Sequence, residues 1–97
     1  MPKKLSKPQF RLIAAILRQG GTDAPADDVF TSGNVEGRFL TAATINACLR
    51  HGWVTREKRD GIAYWSVTLA GHSAAGRFNE GLYYDAKYQG LAGKATR

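Results

Sequence analysis

The stretch that decides the fold is residues 41–71, with the sequence TAATINACLRHGWVTREKRDGIAYWSVTLAG. Its first residue, Thr41, suits a helix N-cap, and the residues after it place apolar side chains at helical spacing. Its second part alternates with the two-residue period of β-strands and is interrupted by Asp60-Gly61, a strong signal for a tight hairpin turn. We therefore predict a helix over residues 41–52 and a two-stranded hairpin over residues 53–68.

A two-residue turn at Asp60-Gly61 fixes which hairpin residues lie opposite one another. The predicted pairs are Arg59 with Ile62, Arg56 with Trp65, and Val54 with Val67. The last two pairs share one face of the sheet, so we expect the valines to anchor the hairpin in the core. Arg56 would then pack over the indole ring of Trp65.

The predicted helix over residues 41–52 has an apolar side and a small, polar or cationic side. At about 100° per residue, Ala42, Ile45, Cys48 and Leu49 fall on the inner side. The outward face and its flanks contain Ala43, Thr44, Asn46, Ala47, Arg50 and His51. We interpret Cys48 as a small core residue, and we expect the outer face to approach another surface closely.

Another helix is predicted near the N-terminus, and the segment after it is ambiguous. Ser6-Lys7-Pro8-Gln9 has the pattern of a capping box with proline in the first turn, and Gly20-Gly21 ends the helix about three turns later. Residues 22–40 are compatible with a short helix near residues 25–31. They are equally compatible with an irregular loop and a short strand around Val35–Leu40.

The last third of the chain contains one more helix start and an aromatic tail. Thr68 suits an N-cap, and the glycine-weakened helix after it is predicted to end near Gly81. The tail contains Leu82, Tyr83, Tyr84, Tyr88 and Leu91. These side chains could cover the core of the domain, belong to a partly disordered end, or form a dimer interface.

Composition restricts the class of protein. A chain of 97 residues suits one domain, and its net charge of +6 is segregated into basic stretches on either side of an acidic patch. Its one cysteine and two histidines show no metal-ligand spacing, and no catalytic, cofactor-binding or phosphate-binding motif is present. We therefore expect a non-enzymatic, soluble, cytoplasmic protein without cofactor or metal, whose basic charge suits a polyanionic partner.

The order of these elements over residues 6–80 resembles winged helix-turn-helix domains, a family common among bacterial transcriptional regulators. Three segments carry the resemblance: Leu49-Arg50-His51-Gly52-Trp53-Val54, the hairpin with Asp60-Gly61, and Val67-Thr68-Leu69-Ala70-Gly71. In that family a Leu-Thr-x-x-Gly segment commonly opens the helix after the wing. The resemblance implies an α+β, mostly helical fold with a two-stranded β-hairpin wing, in which helix 41–52 is the recognition helix.

The resemblance also implies roles for individual side chains. The outward helix residues Ala43, Thr44, Asn46, Ala47, Arg50 and His51 would face the major groove, where Asn can pair with adenine and Arg with guanine. Arg56, Lys58 and Arg59 on the hairpin would contact phosphates or the minor groove. Lys3 and Lys4 could act as a flexible arm that contacts the DNA backbone. A plainer interpretation of Lys58 and Arg59 is that edge-strand charges prevent aggregation.

The sequence thus predicts a double-stranded DNA-binding protein that reads sequence, acts as a transcriptional regulator and associates with the nucleoid. We expect a basic arm over residues 1–6, a winged-helix domain over residues 7–81, and a tail over residues 82–97 that forms a homodimer. No small-molecule ligand is indicated. The alternative is a winged-helix protein-interaction module whose basic charge is incidental.

Overall fold

The computed structural model describes residues 4–33 and 41–95 of the chain, and its fold is α+β and mostly helical. The helices of these residues are α1 (Lys7–Arg18), α2 (Ala26–Gly33), α3 (Ala42–Arg50), α4 (Leu69–Phe78) and α5 (Glu80–Ala95). The strands are β1 (Ala24–Pro25), β2 (Val54–Arg59) and β3 (Ile62–Val67). They form one antiparallel sheet in the order β1-β3-β2.

Helix α1 begins and ends at the signals predicted from sequence. The Ser6 amide donates to the side chain of Gln9 at 2.8 Å, and the Gln9 amide donates back to the serine hydroxyl, which completes the capping box. At the other end, the amides of Gly20 and Gly21 donate to the carbonyls of the last turn, and both glycines have positive φ. This left-handed termination favours glycine.

Helix α1 is also the centre of the core. All six residues from Leu12 to Leu17 are buried, so the helix has apolar contacts on most of its circumference. It packs against α2, α3, α4, α5 and β3. The buried surface of α1 is this wide because four helices surround it.

The ambiguous segment after α1 contains a strand and a helix. Helix α2 confirms the short-helix alternative, and its first turn contains Asp27 and Asp28 near the positive end of the helix dipole. Strand β1 was not predicted. It is only two residues long and pairs Ala24 with Trp65, so its formation depends on a partner far away in the sequence. The alternative strand over Val35–Leu40 lies outside the described residues.

The hairpin has the predicted register. Arg59 pairs with Ile62, Arg56 with Trp65, and Val54 with Val67. Asp60 and Gly61 both have positive φ, as a tight two-residue hairpin turn requires. The sheet has three strands rather than the two expected, because β1 extends it on the far side of β3.

Helix α4 is joined closely to α5, which contains residues 82–95 of the predicted tail. The amide of Asn79 donates to the last turn of α4, and its side chain accepts from the Leu82 amide in the first turn of α5. Tyr83 and Ala86 are buried, and a methyl group at Gly90 would overlap the carbonyl oxygen of Leu17. Helix α5 thus covers the core. The division of the chain at residues 6 and 81 remains a prediction.

Candidate nucleic-acid interface

Helix α3 is held at both ends by local hydrogen bonds. The Thr41 hydroxyl accepts from the Thr44 amide at 3.2 Å, which caps the N-terminus. At the C-terminus, the amides of Gly52 and Trp53 donate to the carbonyls of Leu49 and Cys48, a Schellman arrangement that requires the positive φ of the glycine. The helix therefore has a defined length, and the chain leaves it directly into β2.

The outward face of α3 has a solvent-exposed centre and half-buried flanks. Ala43, Asn46 and Arg50 are exposed, whereas Thr44, Ala47 and His51 are half-buried. One end of the helix differs from the expected pattern, because Ala42 is exposed rather than turned into the core. Cys48 is fully buried, as predicted, and anchors the opposite side.

Two of the flanking side chains have partners within the protein. The hydroxyls of Thr44 and Thr41 lie 3.1 Å apart, so the first belongs to the helix cap. The His51 ring packs against the indole of Trp53 with the centroids 4.7 Å apart. A nucleic acid would therefore find Ala43, Asn46 and Arg50 the most accessible of the six predicted positions.

The hairpin places basic side chains on both faces of β2. Arg56 and Lys58 alternate with Thr55 and Glu57, so the first two lie on the face that also contains the buried Val54. The guanidinium of Arg56 lies over the Trp65 ring at 5.5 Å, as predicted. Lys58 is exposed beyond it. Beyond the buried Val54, the same face of the hairpin carries the exposed basic side chains of Arg56 and Lys58, which we call the basic edge.

Arg59 has a different environment from Lys58. Its guanidinium donates to the carboxylate of Asp23 at 3.0 Å, lies 3.7 Å from that of Glu57, and covers the ring of Tyr64 at 4.2 Å. Asp23 is in turn fixed by its amide, which donates to the Ser66 hydroxyl. The structure therefore engages Arg59 in an exposed ion-pair cluster that ties the hairpin tip to the segment before β1.

Sequence reasoning did not find the partners of Arg59. Asp23 is 36 residues away in the chain, and its contact depends on the unpredicted pairing of β1 with β3. For the contact with Tyr64 the sequence did contain a signal, because Tyr64 lies diagonally across the predicted hairpin from Arg59, within reach of a long side chain.

The loop between α3 and β2 is supported by the start of α4. The Thr68 hydroxyl accepts from the Gly71 amide at 3.0 Å and donates to the carbonyls of Gly52 and Trp53. The Thr68 amide also donates to the Trp53 carbonyl, at 3.0 Å. This one threonine caps α4 and fixes the turn that sets the hairpin against α3.

The predicted N-terminal arm is only partly described. Lys4 is exposed, while Leu5 beside it is buried in the core. Lys3 lies outside the described residues. The structure thus joins α3 to the basic hairpin through the Gly52 turn, with the two elements in contact, and it leaves Lys4 exposed next to the buried Leu5.

The Cys48 thiol lies on the buried side of α3. Burial raises the pKa of the Cys48 thiol to about 12, so the thiol is neutral and unreactive in the folded protein. Among the described residues, no group of three His, Cys, Asp or Glu side chains is placed to hold a metal ion. Within residues 4–33 and 41–95, none of the helices combines the length and the apolar character that crossing a membrane requires.

The fold is therefore that of an α+β protein in which a capped helix, α3, leads directly into an antiparallel sheet. The crystal structure of SSV1 F-93 is similar to it over the whole of both chains, with a TM-score of 0.55 and 14% sequence identity. A likeness at this identity concerns the fold alone. No protein-family model matches the sequence, and no curated protein matches it.

Proposed function

We propose that this chain is a winged-helix protein that binds double-stranded DNA sequence-specifically and acts as a transcriptional regulator. The observation that carries the proposal is that α3 and β2, which contact each other across one tight turn, both carry exposed polar or basic side chains. Asn46 and Arg50 are exposed on a helix that is capped at both ends, and Arg56 and Lys58 follow on β2 after one tight turn. A helix and a hairpin in this order suit a major groove and the backbone beside it.

The two surfaces have different tasks in this proposal. Small side chains such as Ala43 let the α3 backbone approach the base edges, where Asn46 and Arg50 supply the donor and acceptor groups that distinguish bases. Arg56 and Lys58 supply affinity through phosphates, with little sequence information. Arg59 contributes less, because it must give up its ion pair with Asp23 to contact a phosphate, and this loss offsets part of the gain. The protein acts by occupying its site, without catalysis.

We also propose that the protein binds DNA as a homodimer. One recognition helix covers few base pairs, so small regulators commonly use two-fold symmetric pairs. Helix α5 offers a surface for this contact, because Tyr84, Tyr88 and Leu91 are exposed at spacings that place them along one stripe.

The test of DNA binding is the affinity of the purified protein for random and genomic duplexes over a series of salt concentrations, followed by sequencing of the bound fraction. We expect salt-dependent binding that enriches one motif. Changing Asn46 or Arg50 to Ala should relax the preference at particular bases, at a cost of about 1–3 kcal/mol each. Changing Arg56 or Lys58 to Ala should weaken binding to all sequences and reduce the salt slope by roughly one unit each.

Arg77→Ala is the matched control. Arg77 is also an exposed cation, but it lies on α4 beside α5 rather than on α3 or the hairpin, so its removal changes the net charge equally. Equal losses for Arg77→Ala and Lys58→Ala would mean that binding follows net charge alone. Absence of binding at low salt would contradict the proposal and favour a protein-interaction module.

A further inference from the structure

A cavity lies between α1 and α5, next to the end of α4. It encloses about 510 Å³, a size within the range of roughly 300–1,000 Å³ that small-molecule sites occupy. Its apolar lining consists of Phe10, Ala14, Phe78, Leu82 and Ala86. The rings of Phe10 and Phe78 are stacked with centroids 4.8 Å apart. Phe10 is buried, so the partly exposed ring of Phe78 forms the aromatic wall of the cavity. No residue of α3 or of the hairpin contributes to it.

The rim of this cavity is cationic. Lys7, Arg11 and Arg18 line it from α1, and Asp85 on α5 is the one acidic residue among the described residues that line it. The two arginines are seven residues apart, so they project from the same side of the helix. Burial and the positive charge of Arg11 both lower the pKa of Arg18, which means that two guanidinium groups share a partly desolvated region.

An anion would be favoured in this region for two reasons. A negative group beside Arg11 and Arg18 reduces their mutual repulsion and accepts charge-assisted hydrogen bonds from them. The amides of Asn79 and Gln89 also line the cavity and add neutral donors. A small inorganic ion would leave the aromatic wall and Leu82 in contact with water, whereas a ligand with an apolar body would cover them.

We propose that this cavity binds a small organic anion, with an aromatic or similarly flat apolar body against the exposed part of the Phe78 ring and its carboxylate or sulfonate near Arg11 and Arg18. The commitment to an anionic small molecule rests on charge complementarity with the rim, together with a volume that suits a single small ligand. This site is independent of the proposed DNA-binding surface.

The test uses two fluorescent probes with the same ring system. Anilinonaphthalene sulfonate carries one negative charge, and phenylnaphthylamine is its neutral counterpart. We expect the anionic probe to bind more tightly by at least about tenfold, because a charge-assisted hydrogen bond forms only with the sulfonate. Amide resonances of α1, α5 and the end of α4 should shift on binding, which locates the probe.

Three variants distinguish charge, shape and nonspecific attraction. Arg18→Gln should weaken the anionic probe by about tenfold and leave the neutral probe unchanged. Leu82→Asn, at a position 53% exposed, should weaken both probes without unfolding the chain. Lys87→Gln is the control for net charge, because this cation lies over the rings of Tyr83 and Tyr84, away from the cavity.

Three results would overturn the proposal. The first is an equal response of Arg18→Gln and Lys87→Gln to the anionic probe, and the second is equal affinity of the two probes. The third is a probe affinity that falls as protein concentration rises, with the cavity resonances shifting on self-association instead, because a second copy would then occupy the cavity. DNA binding is measured separately, so none of these results depends on its outcome.

Discussion

The protonation of His72 is coupled to the packing of α4 against α5. Its Nδ1 lies 2.9 Å from the Tyr83 hydroxyl, and the two rings meet edge to face between α4 and α5. Burial and the positive charge of Lys87 both lower the pKa of His72 from its ordinary value of 6.5. The folded state therefore favours the neutral imidazole of His72 over the protonated one.

This shift predicts that stability depends on pH in one direction. Because the folded pKa is lower than the unfolded one, the contribution of His72 is present above pH 6.5 and is lost as the pH falls toward the folded pKa. Urea unfolding between about pH 8 and about pH 5 should show a decrease in the free energy of unfolding that His72→Phe reduces.

Tyr83→Phe is the control for this prediction, since it removes the hydroxyl but keeps the imidazole beside Lys87. It should retain the pH dependence, because the burial and the charge of Lys87 that lower the pKa of His72 both remain. Curves for His72→Phe and the unmodified protein that stay parallel over this range would mean that the ring titrates equally in both states.

At the residue scale, sequence reasoning found the caps and missed the distant partners. Ser6, Thr41 and Thr68 were predicted as N-caps, because each bonds to an amide only three residues away. The contacts of His72 with Tyr83 and of Arg59 with Asp23 join different elements, so no local pattern indicates them.

At the scale of elements, the position of α4 depends on one glycine. A methyl group at Gly71 would overlap the carbonyl oxygen of Trp53 and come within 2.8 Å of a methyl of Val67. The first turn of α4 therefore lies directly on the loop that joins α3 to β2. Thr68 bonds to the same carbonyl, so the helix and the loop form one unit.

We predict that Gly71→Ala destabilises the protein by roughly 1–3 kcal/mol, because backbone on both sides of the contact must move. Gly76→Ala is the matched control in the same helix. Its methyl group would make only ordinary contacts with the ring of Tyr83, and it should stabilise by up to about 1 kcal/mol through helix propensity. Urea unfolding midpoints measure both, and a loss of equal size in the two variants would contradict this account.

Prediction of elements succeeded where the signal lies within the element. The hairpin register followed from Asp60-Gly61 alone, and α1 followed from its cap and its two glycines. Strand β1 and the burial of α5 could not be predicted in this way. A strand of two residues has no periodicity, and the close contact of Gly90 with Leu17, which holds α5 on the core, joins residues that are far apart in the sequence.

For the whole molecule, the proposed homodimer gives a prediction at the α5 stripe. Tyr88 is 73% exposed at the centre of the stripe, so Tyr88→Glu should leave the monomer folded and weaken self-association strongly. Leu69→Glu is the control. Leu69 is more exposed, at 87%, but lies at the start of α4.

Sedimentation over a range of concentrations measures the association of each variant. If the unmodified protein remains monomeric, or if Leu69→Glu dissociates the dimer as readily as Tyr88→Glu, the stripe is not the interface. A palindromic DNA motif together with a monomeric Tyr88→Glu variant of lower DNA affinity would support both the dimer and its role.

The candidate site was predictable at the level of surfaces rather than of single side chains. Helical periodicity identified the outer face of α3, and the exposed Ala43, Asn46 and Arg50 lie there. The cap contact of Thr44 and the packing of His51 on Trp53 depend on how the helix ends are built. Helical periodicity alone does not contain that information.

The burial of Cys48 makes the thiol a natural reporter of motion. Its sulfur lies 4.0 Å from the carbonyl oxygen of Gln9, where α3 packs against α1. With a pKa of about 12, only roughly one thiol in 10⁵ is ionised at neutral pH while α3 is packed against α1. Alkylation then proceeds through molecules in which α3 has separated from α1, and its rate measures how often the proposed recognition helix detaches from its own scaffold.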